Sequence, residues 1–465
     1  MCFAWVAQMP NCYSTNVDDL TLDSLADRLA DRSARGLAHA VGAAVGAGEL
    51  KPGHRLPPVR AVAGHLGLSP STVSAAWALL SRAGAISTDG RRGTVVSTGR
   101  RAAPTRYRRA LDRSAGFTLD LSTGVPDSTL LPDLGPALLR LPAGASPGSY
   151  LDDPTLPELA EVLRTELPCP VDQLTVTDGA MDAVELALTE LVGFGERVIV
   201  ESPCFAPLLD LLESRGIRVV GVPVDEEGLR PDALAAALTT PAAAVILQPR
   251  AQNPAGSSLT RGRAEELAAV VARHDVIVIE DDSAGSIATT PPISLGSWIP
   301  GAVLHIRSFS KSHGPDLRLA VLGGPAALMT RLIDRRHLGQ GWTSRLLQRL
   351  LLDLLTDEDS VAQVRLAQQE YARRRTQLVM SLRRHGIEMP TGDGLNLWLP
   401  VQDETGALVT MASHGIAVAA GSPFQVLPEA TSHVRVTVAL VAQESDRIAA
   451  LLAAAAQTVI GRSAR

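Results

Sequence analysis

Lysine is nearly missing from this chain: Lys51 and Lys311 stand against 41 arginines. A coding preference for arginine accounts for most of that imbalance, and it leaves Lys311 as a position to be explained. Cysteine is also scarce. Cys2, Cys12, Cys169 and Cys204 form no CxxC pair and have no histidine pair nearby, which excludes a zinc site or a disulfide framework, so all four read as free thiols and no metal is expected. No apolar run approaches the roughly 18 residues of a membrane helix, and Met1 to Met9 lacks a basic segment ahead of its apolar residues. A cytoplasmic protein without a membrane partner is the expectation. With 46% hydrophobic and 20% charged residues the composition is that of a packed globular protein, and 465 residues exceed what one hydrophobic core serves.

The net charge of -6 conceals two parts of opposite sign: residues 20–113 hold 15 Lys+Arg against 6 Asp+Glu, a net +9, whereas residues 114–465 carry -13. A basic N-terminal region on an acidic body implies a polyanion-binding module attached to a domain with another task.

Small and apolar residues recur at helical spacing from Ser33 to Leu50, ending at a Pro52-Gly53 breaker. Pro57-Pro58 opens a second helix to Leu66, Gly67 interrupts it, and Ser69-Pro70 supplies an N-cap with proline at the first helical position. In the helix that follows, Val73, Ala76, Trp77 and Leu80 share one face. Ala85 to Thr88 and Thr94 to Ser97 flank Asp89-Gly90-Arg91-Arg92-Gly93, a hairpin with a basic tip. The order helix, helix-turn-helix, wing suits the major groove of DNA. Ser69, Ser71 and Thr72 at the start of the second motif helix are candidates for base edges, Arg60 for a phosphate, and Arg91, Arg92 and Gly93 for the minor groove.

The segments Gly53-His54-Arg55-Leu56-Pro57-Pro58-Val59-Arg60, Leu68-Ser69-Pro70-Ser71-Thr72-Val73 and Arg92-Gly93-Thr94-Val95-Val96 resemble the GntR family of winged-helix regulators. That resemblance implies a double-stranded DNA operator as partner. Pro70 stands where the family usually has arginine and Pro58 where it has serine. The first change removes an expected DNA contact.

Six arginines between Thr98 and Gly116, with little apolar periodicity, read as a basic linker. Beyond it, apolar strands at 197–200, 243–247, 276–279 and 303–306 alternate with helical segments, the pattern of a mainly parallel sheet covered on both faces. Three domains are therefore expected: a winged helix over 20–97, a linker over 98–118, and an α/β domain over 119–465.

Only an amine condenses with an aldehyde, because guanidinium stays protonated, so Lys311 is the candidate Schiff-base residue. Ser308 and Ser310 beside it, with Arg318 downstream, suit a phosphate. Gly179-Ala180 opens a helix whose N-terminal amides bind an anion. Phe205 is a candidate to stack on a pyridine ring, Asn253 to donate to a ring hydroxyl, and Asp281 to pair with a protonated ring nitrogen. In this order the segments resemble fold-type I aminotransferases over roughly Leu119 to Val459. With the winged helix, the chain resembles the MocR subfamily of GntR regulators.

The resemblance implies pyridoxal phosphate as cofactor, an internal aldimine on Lys311, a phosphate held by Arg318, Ser308 and Ser310, and a homodimer in which Tyr150 reaches the neighbouring subunit's phosphate. It assigns Arg435, in Val434-Arg435-Val436, to the carboxylate of a substrate or amino-acid-like effector. One departure stands out. Aminotransferases place a tyrosine shortly after the ring aspartate, whereas Asp281 is followed by Asp282-Ser283-Ala284. His313 reads as a surface residue. Two readings stay open: a transcription regulator that senses pyridoxal phosphate or an amino compound through an aldimine at Lys311, and an active aminotransferase with a regulatory DNA-binding appendage. A third, a DNA-binding module whose enzyme-like domain only dimerises, is disfavoured by Lys311, Asp281, Asn253 and Arg318 occurring together.

Overall fold

A computed structural model describes residues 17–29, 31–46, 49–51, 53–82, 86–89, 93–96, 106, 117–141, 149 and 152–459. The candidates Arg91, Arg92 and Tyr150, along with most of the basic linker, lie outside the described residues. The chain forms two compact units, residues 1–103 with 213–216, and residues 104–212 with 217–465.

In the first unit, helices α1 (Val17–Arg28), α2 (Ala34–Gly46), α3 (Val59–Leu66) and α4 (Pro70–Arg82) precede the antiparallel hairpin β1 (Ile86–Asp89) and β2 (Gly93–Val96). The periodic stripe foreseen on α4 is the buried one: Val73, Ala76 and Leu80 are fully enclosed and Trp77 nearly so. Gly67 ends α3 in the left-handed region at φ 63°, where its N–H donates to Ala63 O. Helix α1 had no counterpart in the sequence reading, and the hairpin strands sit within a residue of their expected bounds.

In the second unit an eight-stranded sheet has the order β4-β11-β10-β9-β8-β5-β6-β7. These strands are β4 (Gln173–Thr177), β5 (Arg197–Ser202), β6 (Arg218–Asp225), β7 (Gly228–Leu229), β8 (Ala244–Leu247), β9 (Ile277–Asp282), β10 (Val303–Ser308) and β11 (Ala320–Gly324). Strands β10, β9, β8, β5 and β6 run parallel, and β11 lies antiparallel between β10 and β4. All side chains of β8 and β10 are buried, β8 as a continuous apolar strand covered on both faces and β10 with His305, Arg307 and Ser308 among its buried residues. A smaller sheet, order β12-β14-β13-β3, combines β3 (Leu119–Leu121), β12 (Asn396–Val401), β13 (Ile416–Ala420) and β14 (Ser432–Thr437). Leu378 and Leu382 of the long helix Glu358–Arg384 pack with Leu397, Val434 and Leu452 into its core.

Candidate functional site

The carboxyl ends of parallel strands are where an open α/β sheet forms its crevice. Asp281 lies near the end of β9, Ser308 ends β10, Asn253 follows β8, Phe205 follows β5 and Gly179 follows β4. Strand pairing fixes these ends relative to one another, with Ile306 of β10 opposite Asp281 of β9.

Lys311 lies in the turn after β10, and its Nζ donates to Gly124 O at 2.7 Å. Burial, with the charges of Arg435 and Arg318 assisting and that of Asp281 opposing, lowers its pKa to about 8. An amine depressed in this way is neutral, and therefore nucleophilic, far more often than an exposed lysine. Asp281 is buried. Its Oδ2 accepts from Gln248 Nε2 at 2.8 Å, whereas its Oδ1 is buried with no hydrogen-bond partner. Burial raises this carboxyl to about 6, against the Gln248 hydrogen bond.

Asn253 Oδ1 accepts from Arg435 Nη1 at 3.3 Å, so two residues 182 positions apart meet here. Arg435 sits mid-strand on β14 and is 2% exposed. Its guanidinium also donates to Ser122 O and lies 4.9 Å from the centre of the Phe424 ring. Gly124 is constrained by both neighbours: φ is 67°, and a Cβ there would come within 3.2 Å of Arg435 Nη1.

Gly179 caps the helix Ala180–Leu191 at φ 100°, and a Cβ on it would lie 2.9 Å from Arg318 Nη2. Arg318 itself adopts a left-handed conformation at φ 50° and donates to Asp178 O at 3.2 Å, so guanidinium and helix start form one cradle. Ser310 N donates to Ser308 Oγ at 3.3 Å. Phe205 is half-buried and packs along one flank against the apolar cluster of the large sheet. His313 is not a surface residue. It is 4% exposed, sits 2.8 Å from Ser312 Oγ through Nδ1, meets the edge of Phe309, and is pushed down to about 4 by burial with Arg307 assisting.

Two groups escaped the sequence reading. Gly124, within Ser122-Thr123-Gly124-Val125-Pro126, gave only the weak signal of a glycine shortly after an apolar strand. Gln248 and Glu201 gave none, since a buried glutamine and a buried glutamate announce nothing until their partners are known. The described residues fit pyridoxal phosphate: an amine, a buried carboxylate oxygen without a donor, an amide, and a glycine-lined anion cradle with an arginine in place.

In the DNA-binding unit, Ser69 Oγ accepts from Thr72 N at 3.0 Å, the N-cap bond expected of it, and lies 2.7 Å from both Ser71 Oγ and Thr72 Oγ1. The three hydroxyls therefore converge at the start of α4. Arg60 is exposed on α3. Gly93 opens β2 at φ 79°, with the Arg55 guanidinium so near that a Cβ would lie 3.1 Å from Nε.

The parallel sheet with its lysine crevice, the small sheet bearing Arg435, and the preceding winged helix define an α/β protein of fold-type I aminotransferase architecture joined to a GntR-type DNA-binding domain. Residues 118–452 match the aminotransferase class I and II family and residues 34–96 the gntR family of bacterial regulatory proteins, so the chain belongs to both, in the MocR-like arrangement. It is 38% identical over 397 residues to the vitamin B6 salvage pathway transcriptional repressor PtsJ of Salmonella typhimurium, covering 83% of this chain and 89% of that one. It is 27% identical over 424 residues to the HTH-type transcriptional regulator TauR of Rhodobacter capsulatus, covering 81% and 86%. The second unit resembles LysN, an alpha-aminoadipate aminotransferase of Thermus thermophilus crystallised with N-(5'-phosphopyridoxyl)-L-leucine. The TM-score is 0.66 at 21% identity, with 76% of this chain and 96% of that one covered.

Proposed function

We propose that the protein is a homodimeric transcription regulator that binds double-stranded DNA through α3, α4 and the wing, and holds pyridoxal phosphate on Lys311. The observation that carries this reading is the pairing of a depressed lysine amine with the buried, unpartnered Oδ1 of Asp281 on a chain that also bears a GntR-type domain. When bound, pyridoxal phosphate supplies an aldehyde carbon for an amine and an electron-withdrawing ring. Lys311 would provide the amine, Asp281 Oδ1 would accept the ring N–H, Asn253 would donate to the ring hydroxyl, and Phe205 would lie along the ring. Arg318, Ser308, Ser310 and the amides at Gly179-Ala180 would hold the phosphate, with Tyr150 expected to reach across a dimer.

The name of the PtsJ relative supports pyridoxal phosphate itself as the signal. The Arg435–Asn253 pair supports an amino compound with a carboxylate as a further ligand. Either ligand acts on DNA binding only through unequal affinity for two arrangements of the protein. The same pair supports a second reading, a working aminotransferase. Against it stands the segment Asp282-Ser283-Ala284, which has no tyrosine where the resembling enzymes carry one shortly after the ring aspartate.

The deciding experiment is the absorbance spectrum of purified protein with pyridoxal phosphate, together with operator binding with and without it. Lys311→Ala should abolish the borohydride-reducible visible chromophore while the fold survives. A chromophore unchanged in that variant removes the central assignment. Turnover with amino-acid donors would favour the enzyme reading.

A further inference from the structure

Three strand ends of the crevice are joined by one residue. Gln248, the residue after β8, is 7% exposed and uses every polar group it has. Its Nε2 donates to Asp281 Oδ2 at 2.8 Å and to Ser283 Oγ at 3.1 Å, and its Oε1 accepts from Asn253 N at 2.7 Å. Its backbone N–H donates to Glu201 Oε2 at 3.1 Å, and Gln252 Nε2 reaches the same oxygen at 3.3 Å while also donating to Pro203 O at 2.8 Å. The bonds run from the end of β5, through the segment after β8, to the end of β9.

From this geometry we infer that Gln248 is a positioning residue for the ring of pyridoxal phosphate, setting at once the aim of Asp281 and the place of Asn253. The inference rests on the reading that Lys311 holds that cofactor. A carboxamide offers two donors and two acceptor sites in one plane. With both donors committed to β9 and the oxygen to the Asn253 amide, the plane is fixed. Asp281 Oδ2 thereby receives its donor, and Oδ1 is the carboxylate oxygen left buried without a partner. The choice of an amide also matters electrically. It orients the carboxylate without neutralising it, whereas a cation at position 248 would compete for the charge that a protonated ring nitrogen needs. Ser283 takes part as well: its hydroxyl accepts from Gln248, so the segment that follows Asp281 is tied into this network.

Replacing Gln248 by glutamate places a second carboxylate at hydrogen-bonding distance from Asp281. Two such groups cannot both ionise cheaply, so one proton is shared between them and the ring nitrogen loses its anionic partner. A ring nitrogen without a proton withdraws less electron density, so the nitrogen contributed by Lys311 becomes more basic. Gln248→Leu removes the donor without adding charge.

The test titrates full-length wild type, Gln248→Glu, Gln248→Leu and, against Asp281→Asn alone as its background, the double variant Gln248→Glu/Asp281→Asn with pyridoxal phosphate, recording affinity and the pH midpoint of the bound chromophore. Melting without cofactor is followed in parallel. Gln248→Glu should bind at least tenfold more weakly, with the midpoint moved to higher pH. Gln248→Leu should bind more weakly at whatever melting temperature it retains. Because the effect passes through Asp281, Gln248→Glu should change affinity less than threefold in the Asp281→Asn background. Wild-type affinity and midpoint in both single Gln248 variants overturn the inference, as does an equal loss with and without Asp281. Failure of the underlying reading is a different result: wild type itself would develop no chromophore.

Discussion

At the scale of single residues, burial decides what each charged group can do. Arg435 is enclosed between Asn253, Ser122 O and the Phe424 ring, and it acts on Lys311 through its charge. Arg435→Ala should therefore keep the visible chromophore. The response to a carboxylate-bearing amino effector should weaken roughly tenfold to a hundredfold, the loss of one charge-assisted pair worth about 1.5 to 3 kcal/mol. Spectral titration with candidate amino acids checks this, and an unaltered response would remove the role given to Arg435. Glu201 offers a second test. Burial raises its carboxyl from 4.5 to about 8, so between those values the folded chain keeps a proton that the unfolded chain has released. The stability tied to that proton is complete below about pH 4.5 and is lost as pH rises through about 8. Glu201→Gln cannot ionise, so its melting temperature without cofactor should fall less between pH 5 and 8.5 than that of the wild type.

Elements add directionality. Helix α4 begins where Ser69 caps it, and the Gly67 turn before it aims it away from α3. Arg60 and Thr72 thus present different chemistry from adjacent helices: a charge without base information, and a hydroxyl at the helix end proposed to enter a groove. Arg60→Ala should weaken binding to specific and random DNA alike and lower the salt slope by about one, whereas Thr72→Ala should change preference among sequences. Binding measured across salt concentrations and operator variants separates the two, and equal losses on all DNA from both variants would contradict the assignment. The parallel strands do comparable work in the second unit. Strands β5, β8, β9 and β10 each bring a residue at or beyond the carboxyl end to the crevice, so slipping β9 by one position against β10 would turn Asp281 to the other face.

Across the whole molecule the proposed function gives the two units different ligands. A ligand that binds only the folded second unit stabilises it by mass action, about 2.7 kcal/mol at a hundredfold excess over Kd. Calorimetry with pyridoxal phosphate should raise the transition of the second unit, and Lys311→Ala should remove most of that rise. A rise of the same size in Lys311→Ala would mean that the cofactor is held without the amine.

Local rules read much of this molecule from its sequence. The stripe Val73, Ala76, Trp77, Leu80, the Ser69 cap and the apolar runs of β5, β8, β9 and β10 depend on neighbours a few residues apart, and each stands where periodicity and capping put it. Lys311 was identifiable because it is one of two lysines and lies among hydroxyls. What needed the tertiary structure was every relation across distance in the chain. Gly124 lies 187 residues from the lysine whose amine it receives, and Ser122 lies 313 from Arg435. Gln248 acquires its meaning only when β5, β8 and β9 lie side by side. His313 looked like a surface residue because its burial depends on what folds over it. Periodicity reports the face a residue turns toward its own element's surroundings, whereas hydrogen-bond partners and desolvation are set by what other parts of the chain bring there, and these fix the pKa of Lys311 and the aim of Asp281.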